Sequence, residues 1–103
     1  MLELKIKPEA ESDLSKIFEY TAKSWGVEQA EKYQDELFAE MLLLTKQEAL
    51  GKKYPYAKQP YRKLHMNRHL IFYRVDGQTC LIIRVLHDRV DIKKHLGEGE
   101  SDI

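Results

Sequence analysis

Arg84 stands in the middle of the most apolar stretch of this 103-residue chain, inside the run Leu81-Ile-Ile-Arg-Val-Leu86. A guanidinium keeps its proton at any working pH, so burying one requires a carboxylate or several carbonyls beside it. Strand alternation sets Arg84 on the face of Ile82 and Leu86. Its role stays open between an ion pair with a helical acid, emergence at an uncovered sheet face, and an anion site for a phosphate or a partner's carboxylate. His87, Asp88 and Arg89 follow directly, with Arg62 and His65 on the neighbouring hairpin. Arginine and imidazole together suit phosphodiester cleavage: the first neutralises charge on the phosphorane, the second moves a proton near neutral pH. The sequence places no general base for the attacking hydroxyl, and Asp88 alternates away from His87.

Other chemistry finds less support. His65 and His69 have the four-residue spacing of helical metal ligands, but Asn67-Arg68 turns the chain between them. No cysteine pair or acidic set completes a site, so neither a metal nor a cofactor is expected. Cys80, in mid-strand, reads as a small buried hydrophobe. A Gly-rich phosphate loop and Ser/His/Asp spacing are both missing. Tyr54, Tyr56, Tyr61 and Tyr73 interleave with Lys52, Lys53, Lys58, Arg62 and Lys63. That mixture can stack on a single nucleic-acid strand or serve a protein interface. A net charge of zero favours the protein partner.

These residues need a scaffold, and periodicity supplies one. Leu2, Leu4 and Ile6 alternate with Glu3, Lys5 and Lys7, which predicts a half-buried strand. Pro8 opens a helix whose first turn holds Glu9, Glu11 and Asp13, with a stripe through Ala10, Leu14, Ile17, Phe18, Thr21 and Trp25. Gly26 closes it as a left-handed C′ residue. A second helix follows to Leu44 on Ala30, Tyr33, Leu37, Met41 and Leu44, widened by Phe38 and Leu42, so the two helices form a hairpin. Gly51 to Pro60 reads as a polar connection. Tyr61–Met66, His69–Val75 and Thr79–Leu86 form a meander, with Asp76-Gly77 as a type I′ turn. Both phases of the last two strands are apolar, so both sheet faces should be covered. Ile92–Leu96 adds a helical turn. The fold class is α+β, β-α-α-β-β-β: a helical hairpin packed on a small, twisted, largely antiparallel sheet. Residues 1–97 make a single domain and 98–103 a flexible acidic tail.

Composition agrees with one globular domain. Hydrophobic residues make up 43% and charged residues 33%, and a chain of this size buries about two-thirds of its surface. No apolar run is long enough to span a membrane, the start lacks a signal peptide's apolar core, and one cysteine excludes a disulfide framework. A cytoplasmic protein is expected. Charge is polarised: residues 1–50 hold eleven Asp/Glu against six Lys/Arg, a net −5, whereas residues 51–97 hold eleven Lys/Arg against three Asp, a net +8. Such a surface can attract an acidic partner, or the halves can neutralise each other.

Taken in order, several pieces resemble one family. They are Ala10-x-x-Asp13-Leu14-x-x-Ile17, Trp25-Gly26-x-x-Gln29-Ala30, Tyr61-Arg62, His69-Leu-Ile-Phe-Tyr-Arg74, and Ile83-Arg-Val-Leu-His87-x-Arg89-Val-Asp91 with His95-Leu96. Together they resemble the ParE branch of the RelE/ParE toxin superfamily, from Ile6 to Leu96. The resemblance implies a bacterial type II toxin, neutralised by a small ParD-like antitoxin and poisoning DNA gyrase without being an enzyme. It implies no membrane and no sequence-specific DNA binding by this chain alone. Arg62, Tyr73, Arg84, His87 and Arg89 are then the partner-binding candidates. The alternative is the RelE-like branch of ribosome-dependent mRNA endonucleases, for which Arg62, Arg84 and His87 would be the catalytic set; its strongly basic composition is not seen here. An inactive antitoxin-binding module is a third possibility.

Overall fold

The alternation at the start of the chain forms β1 (Glu3–Ile6); the computed structural model describes residues 1–96. Pro8 takes the first position of α1 (Pro8–Trp25), with Glu9 and Glu11 in the first turn where the helix dipole favours them. One residue, Gly26, joins α1 to α2 (Val27–Leu44). Its φ of 97° and ψ of 161° differ from the left-handed helical cap expected of it. The reason is its double duty: its N–H closes α1 on Ala22 O at 2.9 Å while its carbonyl opens α2 by accepting from Ala30 N at 3.1 Å. Gln34 Nε2 donates to Leu14 O at 3.3 Å, so α2 folds back along α1.

Four more strands and a short helix follow: β2 (Lys52–Lys53), β3 (Arg62–Met66), β4 (His69–Asp76), β5 (Thr79–His87) and α3 (Ile92–Leu96). The sheet order is β1-β5-β4-β3-β2, with β1 parallel to β5 and every other pairing antiparallel. The α+β class and the order of long elements agree with the sequence reading. The connection from Gly51 to Pro60 does not, because Lys52 and Lys53 pair with Lys63 and Arg62 as a fifth strand. Two lysines carry no alternation to read. The β4–β5 turn is also displaced by one residue. Asp76 pairs with Thr79, leaving Gly77 and Gln78 at the centre, and only Gly77 has positive φ, at 57°. Glycine first with positive φ is the II′ pattern rather than I′.

Both faces of the sheet are covered. Beneath the helices lie Ile71, Tyr73, Cys80, Ile82 and Val85, packed against Ala10, Leu37, Met41 and Leu44. On the opposite face Leu70, Phe72, Ile83 and Leu86 are roofed by Tyr54, Ala57 and Tyr61 from the β2–β3 connection and by Ile92 and Leu96 of α3. The stripes are narrower than periodicity suggested: Phe38 is 47%, Leu42 43% and Trp25 75% exposed. The boundary at 97 and the acidic segment 98–103 lie outside the described residues.

Candidate functional site

Arg84 owes its position to a bulge. Tyr73 pairs with Ile82 and Phe72 with Arg84, so Ile83 is an extra residue in β5. Past it the faces exchange: Ile82 and Val85 lie under the helices, whereas Ile83 and Leu86 lie on the other face. Arg84 therefore does not share one face with both Ile82 and Leu86. Its Nε and Nη2 donate to the two oxygens of the buried Asp13 at 2.7 and 2.8 Å. Asp13 Oδ2 also accepts the Val85 N–H at 3.0 Å, and Arg84 Nη1 donates to His95 O at 2.9 Å. The hydrogen bond to Asp13 raises the guanidinium pKa against the opposing effect of burial. Asp13 is thus more than first-turn negative charge. It seals the bulge and holds the arginine that reaches α3.

Arg62 and Tyr73 belong to a second cluster, far from His87. The Tyr73 hydroxyl donates to Glu48 O at 2.6 Å and accepts the Gly51 N–H at 2.9 Å, and Arg62 Nη1 donates to Gly51 O at 2.8 Å. Tyr73, one of the partner-binding candidates, is fully buried in the core beneath the helices. Burial raises the pKa of its phenol, which stays protonated and able to donate. A Cβ on Gly51 would lie 2.7 Å from Tyr73 Cε1 and 2.8 Å from Lys63 O, so only glycine fits. Arg62 stands level with Tyr73 and hence with Ile82, five residues short of His87. That places the two about 16 Å apart along the strands. The sheet register does not bring Arg62, Arg84 and His87 together. The tyrosines divide too: Tyr54 packs edge-on against Phe72 with ring centroids 5.4 Å apart, while Tyr56 is exposed.

What the register does bring together is His69 and His87, directly paired across β4 and β5, with ring centroids 5.6 Å apart. They form one wall of an open groove of about 920 Å³. Facing them, α1 contributes Lys16, Tyr20 and Trp25, and α2 contributes Tyr33 and Glu36. Arg68 in the β3–β4 turn and Arg89 beyond β5 line its edge. The turn is set by Asn67, whose φ is 54°, and closed onto the end of β5 by the Asp88 N–H donating to Arg68 O at 2.8 Å. Tyr33 Oη lies 2.6 Å from His69 Nδ1. Burial raises the tyrosine pKa and lowers that of His69, so the phenol donates to a neutral ring. His87 Nδ1 accepts the Arg89 N–H at 3.2 Å, and Asp88 Oδ1 lies 3.3 Å from the same nitrogen. Asp88 Oδ2 lies 3.4 Å from His65 Nε2. Among the described residues no three His, Cys, Asp or Glu side chains gather as metal ligands. Cys80 is buried and its thiol is raised to about 11, so it is inert.

Comparison with known proteins bears on the whole of this architecture. The model of the family described as ParE toxin of type II toxin–antitoxin system, parDE, matches residues 4–92. The chain belongs to the ParE toxin family. Toxin ParE1 of Mycobacterium tuberculosis is 36% identical over 92 residues, covering 88% of this chain and 94% of that protein. Toxin ParE1 of Caulobacter vibrioides is 38% identical over 88 residues, covering 85% and 91%. A solved structure of a chromosomal ParDE toxin–antitoxin system from P. aeruginosa shares the fold, with a TM-score of 0.73, 24% identity, and coverage of 84% of this chain and 96% of that one. Of the candidates named from sequence, His87 and Arg89 line the family member's groove. Arg62 and Arg84 are half-buried and engaged elsewhere, and Tyr73 is core. Sequence reasoning missed His69, Tyr33, Trp25, Lys16 and Arg68 as groove residues. The one available signal was the β4–β5 register, which the bulge disguises.

Proposed function

We propose that this ParE toxin acts on DNA gyrase, stabilising its cleaved-DNA state, and is neutralised in the cytoplasm by a ParD-like antitoxin. The observation that carries the reading is the family match across residues 4–92, which takes in both long helices, β2 to β5 and all but the first residue of β1. Action by binding rather than catalysis is supported by the separation of Arg62, Arg84 and His87. Arg84 has its fork filled by Asp13, and Arg62 is tied to Gly51. The charge pattern supports an acidic antitoxin surface meeting the basic half of the chain, which carries a net +8 over residues 51–97. Among those residues no helix is long and apolar enough to cross a membrane.

A gyrase supercoiling assay with antitoxin-free protein tests the reading, with linear DNA scored alongside. Loss of supercoiling with accumulation of cleaved DNA, both reversed by a ParD-like antitoxin, is the expected result. Unaffected gyrase, with the protein shown to be folded by circular dichroism, overturns it. Cleavage of mRNA on translating ribosomes would then be the activity to assay.

A further inference from the structure

The groove between the helical hairpin and the His69/His87 end of the sheet holds an unusual surplus of unsatisfied cationic and aromatic groups. Lys16, Arg68 and Arg89 line it, yet none makes an ion pair among the described residues, and Glu36 is the one carboxylate on its wall. Trp25 is 75% exposed and Tyr20 66% exposed at the same place. A large aromatic left in water forgoes the gain of burial, so a pair of them beside a cavity marks a surface that is covered in use. The volume of about 920 Å³ is in the range of small-molecule sites.

The imidazoles narrow the ligand. In each ring Nδ1 is already engaged, in His69 by the Tyr33 hydroxyl and in His87 by the Arg89 N–H. That leaves the Nε2–H of each without an acceptor among the described residues, two donors that match anionic oxygen. Asp88 Oδ1 is buried and has no hydrogen-bond partner, although it lies 3.3 Å from His87 Nδ1. It cannot be satisfied while that nitrogen is an acceptor.

We propose that this groove binds a nucleoside phosphate, its phosphate seated among Arg68, Arg89 and the two imidazoles and its base stacked on Trp25. Guanidinium N–H and imidazole Nε2–H donors match phosphate oxygens, and an exposed indole offers a stacking face to any base. An acidic peptide would satisfy the cations but leave the aromatic wall unused. The site does not depend on the gyrase reading. It is tested on the isolated full chain, so the two stand or fall separately.

Trp25 is the sole tryptophan in the chain, so its fluorescence reports on this groove alone. Titration with AMP is expected to quench it saturably at low-millimolar concentrations or below. Adenosine should bind about tenfold more weakly, and inorganic phosphate should relieve the AMP quench without quenching by itself. Arg68→Glu with Arg89→Glu should weaken AMP about tenfold or more; both side chains are exposed, and circular dichroism checks that the variant folds. A short single strand with a 5′ phosphate distinguishes the source: tighter binding than AMP identifies a strand end, equal binding a free nucleotide, and either supports the proposal. Absence of saturable quenching overturns it, as does an AMP affinity unchanged in the double variant. Displacement of the signal by a glutamate-rich peptide, with no response to AMP, also overturns it and assigns the groove to an acidic chain.

Discussion

Asp13 accepts three hydrogen bonds on two oxygens, two from the Arg84 fork and one from the Val85 N–H. Removing it leaves a half-buried guanidinium uncompensated and a strand N–H without an acceptor. Asp13→Ala is expected to cost about 3 kcal/mol, read as a fall in the urea midpoint, and pairing it with Arg84→Met should recover much of the loss. His69 makes a prediction of opposite character. Burial and the neighbouring His87 lower its pKa below 6.5, with Asp88 opposing them. Above that value the ring is neutral in both folded and unfolded chains. Below it the unfolded chain takes up the proton first, so stability falls with pH until the folded ring also titrates. The melting temperature should therefore drop from pH 7.5 to about 5.5 by more in the native chain than in His69→Gln. A variant with the same slope would show that the ring contributes nothing. Sequence could name Arg84 as a residue needing a carboxylate. It could not choose Asp13 among eleven acids of the first half, because the choice depends on which face of α1 meets the sheet and where the bulge falls.

Elements show the same division between what periodicity carries and what it does not. Both long helices, three of the four later strands and the two-sided cover of the sheet were legible, since each repeats a pattern over many residues. A type I′ turn centred on Asp76-Gly77 would have paired Val75 with Gln78 and, continued regularly, put His69 opposite Arg84. The turn on Gly77-Gln78 and the extra Ile83 move that partner three places, to His87. A one-residue event has no period, so the groove stayed hidden although every residue in it was in view. The Glu48–Gly51 anchor has its own test. Gly51→Ala forces a methyl into contact with Tyr73 and the Lys63 carbonyl, and should cost about 1–3 kcal/mol. Tyr73→Phe strands the Gly51 N–H and should cost about as much, while leaving the shape of the core unchanged. Thermal denaturation of both variants reads this. α3 is held by Ile92 and Leu96 on the second apolar cluster and by the Arg84 bond to His95. Replacing both apolar residues by aspartate should undock it, seen as new binding of a hydrophobic dye, with the main unfolding transition little changed.

At the scale of the molecule, charge separates in sequence more than it cancels in space. Asp13–Arg84 joins the acidic half to the basic half, whereas Arg74–Asp76 and His65–Asp88 stay inside the basic one. On the proposed reading, antitoxin capture should weaken about tenfold or more between about 0.05 and 0.5 M salt, chiefly through slower association. Indifference to salt would leave capture to apolar contact alone. The parallel pairing of β1 with β5 has a consequence in time. Glu3 is matched to Thr79, and Leu4 and Ile6 to Cys80 and Ile82, so the strand made first has no partner until the hairpin made last has left the ribosome. At ordinary elongation rates of 5–20 residues per second, roughly 4–15 s pass between synthesis of one edge and of the strand that receives it. Throughout that interval Leu4 and Ile6 have no strand to pair with, and the helical hairpin lacks the part of its floor that Cys80, Ile82 and Val85 supply. The sheet of a nascent chain is therefore unfinished until β5 has emerged, and an antitoxin that reads the completed sheet must wait for that strand.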